Sequence, residues 1–143
     1  MDSRGTVRLE HGSGGALSRE LIEKTIYSRL KSSAYPAATD ATVVNVSGPV
    51  CMTTDSYVVD PPFFPGGDIG TLAVNGTCND LAVSGARPSF LTLSFIIEEG
   101  FPISDFESIV DSVAAAAAAA GVAVVTGDTK VVPRGKGGGI FVN

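Results

Sequence analysis

Sulfur and imidazole are scarce in this chain of 143 residues, which has two cysteines, Cys51 and Cys78, and one histidine, His11. Two cysteines without C-x-x-C spacing exclude a disulfide framework and a structural zinc site. On sequence alone, both read as small buried hydrophobes in a reducing compartment. With no histidine near either thiol, a Cys-His nucleophile pair has no basis, and neither has a Ser-His-Asp triad. Basic residues are also few: 10 Lys and Arg stand against 15 Asp and Glu, a net charge of −5. That balance excludes a nucleic-acid backbone as the main partner. Long apolar runs are missing too. The stretch from Val113 to Val125 is mostly alanine and is interrupted by Gly121, whereas a bilayer crossing takes about 20 residues. The opening M-D-S-R-G-T-V-R-L-E lacks the apolar core of a secretory signal. The expectation is a soluble, cytoplasmic protein that engages neither membrane nor nucleic acid.

What is present is globular. Hydrophobic residues make up 44% and charged ones 17%, a composition that buries a core over one domain spanning 1–143. The segment His11–Gly15 (H-G-S-G-G) is too glycine-rich to hold a fixed conformation on its own. A helix is expected from Ala16 to Leu30, with Leu17, Leu21, Ile22, Ile26 and Leu30 on one face. After a polar loop, β-branched runs at Thr42–Val46 and Val50–Val59 flank Ser47-Gly48-Pro49, a hairpin-like signal. Pro61–Gly67 (P-P-F-F-P-G-G) predicts an irregular but ordered loop. Asp68 reads as the N-cap of a helix running to Ser84, stopped by Gly85 and built of small residues. Ser89–Glu99 predicts a strand. Ser104-Asp105-Phe106-Glu107 has the form of a capping box opening a helix that ends at Gly121. Strands follow at Val122–Val132 and Gly139–Asn143. This order suits an α+β fold, a mixed sheet with helices packed on one face. Ending inside a strand, the sequence reads as a piece of something longer.

The residues that could carry chemistry are aspartates at the edges of apolar runs: Asp40 in T-D-A-T-V, Asp55 in T-T-D-S-Y, Asp80 in C-N-D-L-A and Asp128 in T-G-D-T-K. Hard divalent cations use such groups, since Mg²⁺ takes a few carboxylates together with substrate phosphates. The plainer account of any one of them is a cap or turn residue. Asp80 resists that account, because an unpaired carboxylate is costly inside an apolar helix. Gly12, Gly14 and Gly15 could cradle phosphates ahead of a helix, with His11 in contact, although the string matches no standard phosphate-loop pattern. Lys130 is the candidate for neutralising phosphate charge, and Arg134 and Lys136 extend the basic loop beyond it.

Six strings carry a resemblance: H-G-S-G-G (11–15), T-T-D-S-Y-V-V (53–59), F-F-P-G-G-D-I-G (63–70), N-D-L-A-V-S-G-A-R-P (79–88), F-I-I-E-E-G-F-P (95–102) and G-D-T-K-V-V-P-R-G-K (127–136). Together and in order they resemble the N-terminal domain of the HypE family of hydrogenase maturation factors. These share a superfamily with aminoimidazole ribonucleotide synthetase, selenophosphate synthetase and thiamine-monophosphate kinase. The resemblance implies a PurM-like, ATP-binding α+β domain whose homodimer closes two sheets into a β-barrel. It implies ATP and Mg²⁺ as ligands, with Asp40, Asp55, Asp80 and Asp128 holding the metal–triphosphate. His11, Gly12, Ser13, Gly14, Gly15, Asp68, Asn79 and Lys130 would contact the nucleotide, and Lys130 and Asp80 would take the catalytic roles. For Asp68 the N-cap role competes.

The activity implied is ATP-dependent dehydration of a thiocarboxamide, carried on the protein's own C-terminal cysteine, to the thiocyanate that supplies cyanide to [NiFe] hydrogenase. Expected partners are the carbamoyltransferase HypF and the scaffold HypC–HypD. The sequence stops at Asn143 without the second domain or cysteine tail of that family, so it is expected to bind nucleotide and dimerise without completing the reaction. Two other readings stay open: a small-molecule kinase of the thiamine-phosphate type, and a non-catalytic dimerisation and docking module that would use the Pro-Phe-Phe loop.

Overall fold

In a computed structural model the chain is described over residues 5–30 and 41–143. Its frame is a unit of strand, helix and parallel strand. Strand β3 (Phe90–Glu98) leads through helix α3 (Ile103–Ala120) to β4 (Ala123–Val132). The two strands pair in parallel from Phe90↔Ala123 to Glu98↔Val132, with one irregularity at Leu91/Thr92. Strand β5 (Ile140–Val142) adds antiparallel to the other edge of β3, giving the order β4-β3-β5. The sheet is therefore mixed, and the fold is α+β as expected.

The period-2 pattern of β3 decides which face is covered. Leu93, Phe95 and Ile97 are buried, whereas the alternating Thr92 and Ile96 are exposed. Against the buried face lies α3, whose Phe106, Ile109, Val110 and Val113 recur at helical spacing and are fully buried. Phe106 meets Phe95 edge to face, ring centres 5.0 Å apart. The alanine run is a good helix former, and Gly121 in the left-handed region (φ 67°) ends it. Helix α2 (Ile69–Val83) packs on α3 so closely that a Cβ on Gly70 would stand 2.5 Å from the Ile109 carbonyl oxygen. Helix α1 (Ala16–Leu21) continues as a π-helical turn over Ile22–Tyr27. Arg29 ties that end to α3 through Asp111 at 2.8 Å and Glu107 at 3.6 Å.

Several expectations need correction. The hairpin over 42–59 does not form; among the described residues its only ladder contact is one bridge, Tyr57↔Val142, on the edge of β5. Val43, Val46, Val50 and Met52 are exposed there. β-Branched residues favour a pleated, half-buried surface rather than a strand as such, and this stretch finds no partner strand among the described residues. Cys51 lies in it and is exposed, while Cys78 is buried as expected. The capping box does not form either. Helix α3 starts at Ile103 with Pro102 as N-cap, because the bridge Thr6↔Pro102 and the bond from Ile103 N–H to the Gly5 carbonyl (3.0 Å) anchor its entry. The proline-rich loop does contain regular structure: β1 (Phe63–Phe64) and β2 (Gly67–Asp68) pair as a minimal hairpin. Leu17 faces outward rather than joining the buried stripe of the first helix. No helix among the described residues is long and apolar enough to cross a membrane.

Candidate functional site

The glycine segment is ordered by its surroundings. Leu9–Gly12 forms a 3₁₀ turn lying across β4, and a Cβ on Gly12 would stand 2.7 Å from the Val131 nitrogen. The Ser18 hydroxyl accepts the Gly14 N–H (2.9 Å) and donates to the Glu10 carbonyl (3.1 Å). The Ser13 hydroxyl donates to the same carbonyl at 2.9 Å. His11 is buried, and its Nδ1 accepts the Arg8 N–H at 2.9 Å. Burial first, and the Arg8 charge second, hold its pKa below the ordinary imidazole value, so the ring is neutral with its proton on Nε2.

Between this segment, the first helix and β4 runs a cleft of about 450 Å³. Its lining combines His11, Gly12, Gly14, Asp128, Thr129 and Lys130 with the apolar Ile22, Ile26, Leu30, Leu93 and Phe95. Lys130 Nζ lies 3.3 Å from Asp128 Oδ2, with both side chains exposed. An exposed pair of this kind contributes about 0–1 kcal/mol, so a ligand can redirect the lysine at little cost. Asp128 Oδ1 accepts the Thr129 N–H at 2.9 Å.

A second cluster forms at the other edge of the sheet. Tyr57 is locked to Val142 by two backbone bonds, 2.7 and 3.2 Å. Its hydroxyl donates to Asp55 Oδ2 at 2.8 Å and lies 3.3 Å from Thr77 Oγ1 on α2. The Asn143 side-chain amide donates to the Asp55 carbonyl and the Ser56 hydroxyl, both at 2.8 Å. Asp80 is one helical turn beyond Thr77 on the same helix. Burial above all raises the Tyr57 pKa; the negative charges of Asp55 and Asp80 act in the same direction. Both Asn79 and Asp80 are exposed, so the argument from a carboxylate trapped in an apolar interior does not apply to Asp80.

The aspartates thus fall into separate neighbourhoods. Asp128 pairs with Ser94, which bonds to Asn143 across β3 and β5. Asp128 thus lies on β4, on one side of β3, whereas Asp55 and Tyr57 stand beyond β5 on the other side, next to α2. Among the described residues no group of three acidic, histidine or cysteine side chains could hold a metal ion. Asp40 lies outside the described residues. Asp68 is buried at the start of α2; one carboxylate oxygen accepts the Thr71 N–H (2.9 Å) and the other the Ser112 hydroxyl. Its cap role is observed, and both oxygens are already engaged within the fold.

Sequence reasoning missed Tyr57, Asn143 and Glu98. The i, i+2 spacing of Asp55 and Tyr57 put them on one strand face, a signal available in T-T-D-S-Y. Glu98 had no such signal. Its carboxylate accepts N–H groups from Gly135 (2.6 Å), Gly137 (3.1 Å) and Gly139 (3.3 Å). These bonds, the one from Gly135 foremost, hold its pKa below the ordinary carboxylate value and fix the loop bearing Arg134 and Lys136.

Comparison with known proteins places this geometry. The chain is 53% identical over 139 residues to the hydrogenase expression/formation protein HupE of Azotobacter chroococcum mcd 1, covering 96% of the chain and 41% of that relative. It is 51% identical over 142 residues to the carbamoyl dehydratase HypE of Rhizobium leguminosarum bv. viciae, covering 99% and 41%. Among solved structures, a hydrogenase maturation protein HypE in complex with ATP superimposes with a TM-score of 0.93 at 49% identity, over 96% of this chain and 41% of that one. A HypE–HypF complex gives 0.65 at 50% identity, over 90% and 40%. The chain spans about two-fifths of the length of the curated relatives it matches. The resemblance to HypE is borne out. Residues 6–143 match the model described as AIR synthase related protein, N-terminal domain, and the chain belongs to that family.

Proposed function

We propose that this chain, as one domain, is the nucleotide-binding and self-associating part of a carbamoyl dehydratase serving [NiFe] hydrogenase maturation in the cytoplasm. The observation that carries this reading is the cleft in which H-G-S-G-G and G-D-T-K, from opposite ends of the chain, form one polar wall. A glycine backbone that a phosphate can approach closely, a neutral imidazole N–H and a lysine amine suit a triphosphate. The likeness to a HypE solved with ATP supports ATP as the nucleotide. Mg²⁺ fits the donor set as well, because it needs only one or two carboxylates when phosphates complete its shell. Asp55 and Asp80 form one candidate pair; Asp128 and Asp40 are further candidates.

When bound, Mg–ATP would supply a phosphoryl group that turns a carboxamide oxygen into a leaving group. The chain's part is to hold the nucleotide. Gly12 and Gly14 would approach the phosphates as backbone, and Lys130 would swing from Asp128 to offset phosphate charge. Ser13, Gly15 and Asn79 would flank them. Asp80 would act at the reacting end together with Lys130.

Self-association is supported by exposed apolar residues. Val43 and Met52 are 88% and 86% exposed, and Ile96 and Phe90 stand out from the open sheet face. A second copy laid on that face would close two sheets into a barrel. The likeness to HypE in a HypE–HypF complex supports HypF as a partner, with HypC–HypD downstream.

Calorimetric titration of ATP with and without Mg²⁺ tests the reading. Wild type should bind more tightly with Mg²⁺, and Asp80→Ala should lose about tenfold or more of that gain, on the scale of one lost charged contact. An unchanged Mg²⁺ dependence in Asp80→Ala would remove Asp80 from the site, and no binding by the folded chain would overturn the reading.

A further inference from the structure

The residue that sets the direction of Asp55 is not itself acidic. Tyr57 reaches across from the sheet edge to α2, where Gly76 leaves room for the ring: any Cβ there would overlap the phenol oxygen. The ring packs on the hydrophobic core, and its backbone is held by Val142, so the hydroxyl has one place to be. An ionised carboxylate is only an acceptor. The proton shared with Asp55 Oδ2 is therefore tyrosine's, and Thr77 must be the donor in the 3.3 Å contact. The order is Thr77 O–H to Tyr57 O, then Tyr57 O–H to Asp55 Oδ2. One carboxylate oxygen is pinned and the other left free, and Asp80 stands one helical turn beyond Thr77 on α2.

We propose that Tyr57 is a positioning residue: seated on Gly76 and oriented by Thr77, its hydroxyl holds Asp55 so that its free oxygen and Asp80 can share a magnesium ion bound with phosphate. The proposal rests on the Mg–ATP reading above. Hydrogen-bonded partners behind metal ligands commonly change metal affinity 10–100-fold.

Tyr57→Phe removes the hydroxyl and keeps the ring on Gly76. Metal affinity is read by titrating Mg²⁺ into the chain at saturating ATP, and by titrating Mn²⁺ into the nucleotide-free chain followed by electron paramagnetic resonance. The expected result is a loss of about tenfold for both ions, with ATP binding in EDTA unchanged. Thr77→Val should give a smaller loss in the same direction. In an Asp55→Asn background, Tyr57→Phe should cost nothing further, which separates positioning from a general loosening of the fold. Affinity within twofold of wild type, or an equal loss with and without the Asp55 carboxylate, would overturn the positioning role alone. A wild-type chain that binds ATP but neither ion would overturn the metal site and the inference together.

Discussion

Valine-rich sequence occurs twice in this molecule with opposite outcomes. In β4, Val124 is buried in the core and paired to Leu91 of β3, and Val125, buried beside it, sits at the irregularity without a partner of its own. In the stretch from 42 to 58, Val43, Val46, Val50 and Val58 have similar strand propensity but are exposed, with one bridge to the sheet. Local preference is much the same in the two places. The difference is the partner: β4 has a parallel neighbour along its length, whereas the other stretch touches α2 through Tyr57 and, among the described residues, has no strand laid along it. Strand formation here is a tertiary event, set by what lies alongside the segment rather than by its valines.

The sharpest way to break this contrast is to truncate one side chain in each region. Phe106→Ala removes a fully buried ring from the Phe95 contact and should cost about 3–5 kcal/mol in urea denaturation. Met52→Ala, at an exposed position, should leave unfolding within about 0.5 kcal/mol while weakening self-association in sedimentation velocity. Equal destabilisation by the two would erase the distinction. Next in size is Gly70→Ala, whose Cβ meets the Ile109 carbonyl. Overpacking at a helix crossing should cost about 1–3 kcal/mol, with no effect on association.

The smallest effect sharpens the comparison at its margin, in the loop that follows β4. Glu98 has its pKa depressed in the folded state by the glycine N–H groups. Around the ordinary carboxylate pKa the unfolded chain therefore binds more protons than the folded one. The contribution is complete above that pKa and is lost as pH falls through the lower folded value. Glu98→Gln should flatten the melting temperature between about pH 5 and pH 3 and match wild-type pH dependence above it. A Glu98→Gln profile parallel to wild type across that window would show that the bonds do not hold the loop.

How much was legible follows from the same physics. Helices α2 and α3, their stops at Gly85 and Gly121, and strands β3 and β4 follow from periodicity and glycine, which act within a few residues. The absent hairpin, the exposed Cys51 and the early start of α3 were not legible, because each depends on what lies across space. The site divides likewise. His11, Gly12, Gly14, Asp128 and Lys130 were singled out from their strings, and the fold brings them to one cleft. Tyr57 and Asn143 act through contacts across the sheet and with α2, and a tyrosine near an aspartate says nothing of a threonine two helical turns into another element.

The loop around Glu98 has a further consequence. Backbone amides converging on one point are the usual receptor for phosphate or sulfate. This receptor comes with its anion already attached, on the neighbouring strand, at the effective concentration that tethering confers. Free phosphate at ordinary concentrations competes poorly with a tethered carboxylate, so the loop keeps its shape across anionic buffers. Arg134 and Lys136 are both exposed on that loop, the Arg134 guanidinium lying against Gly100.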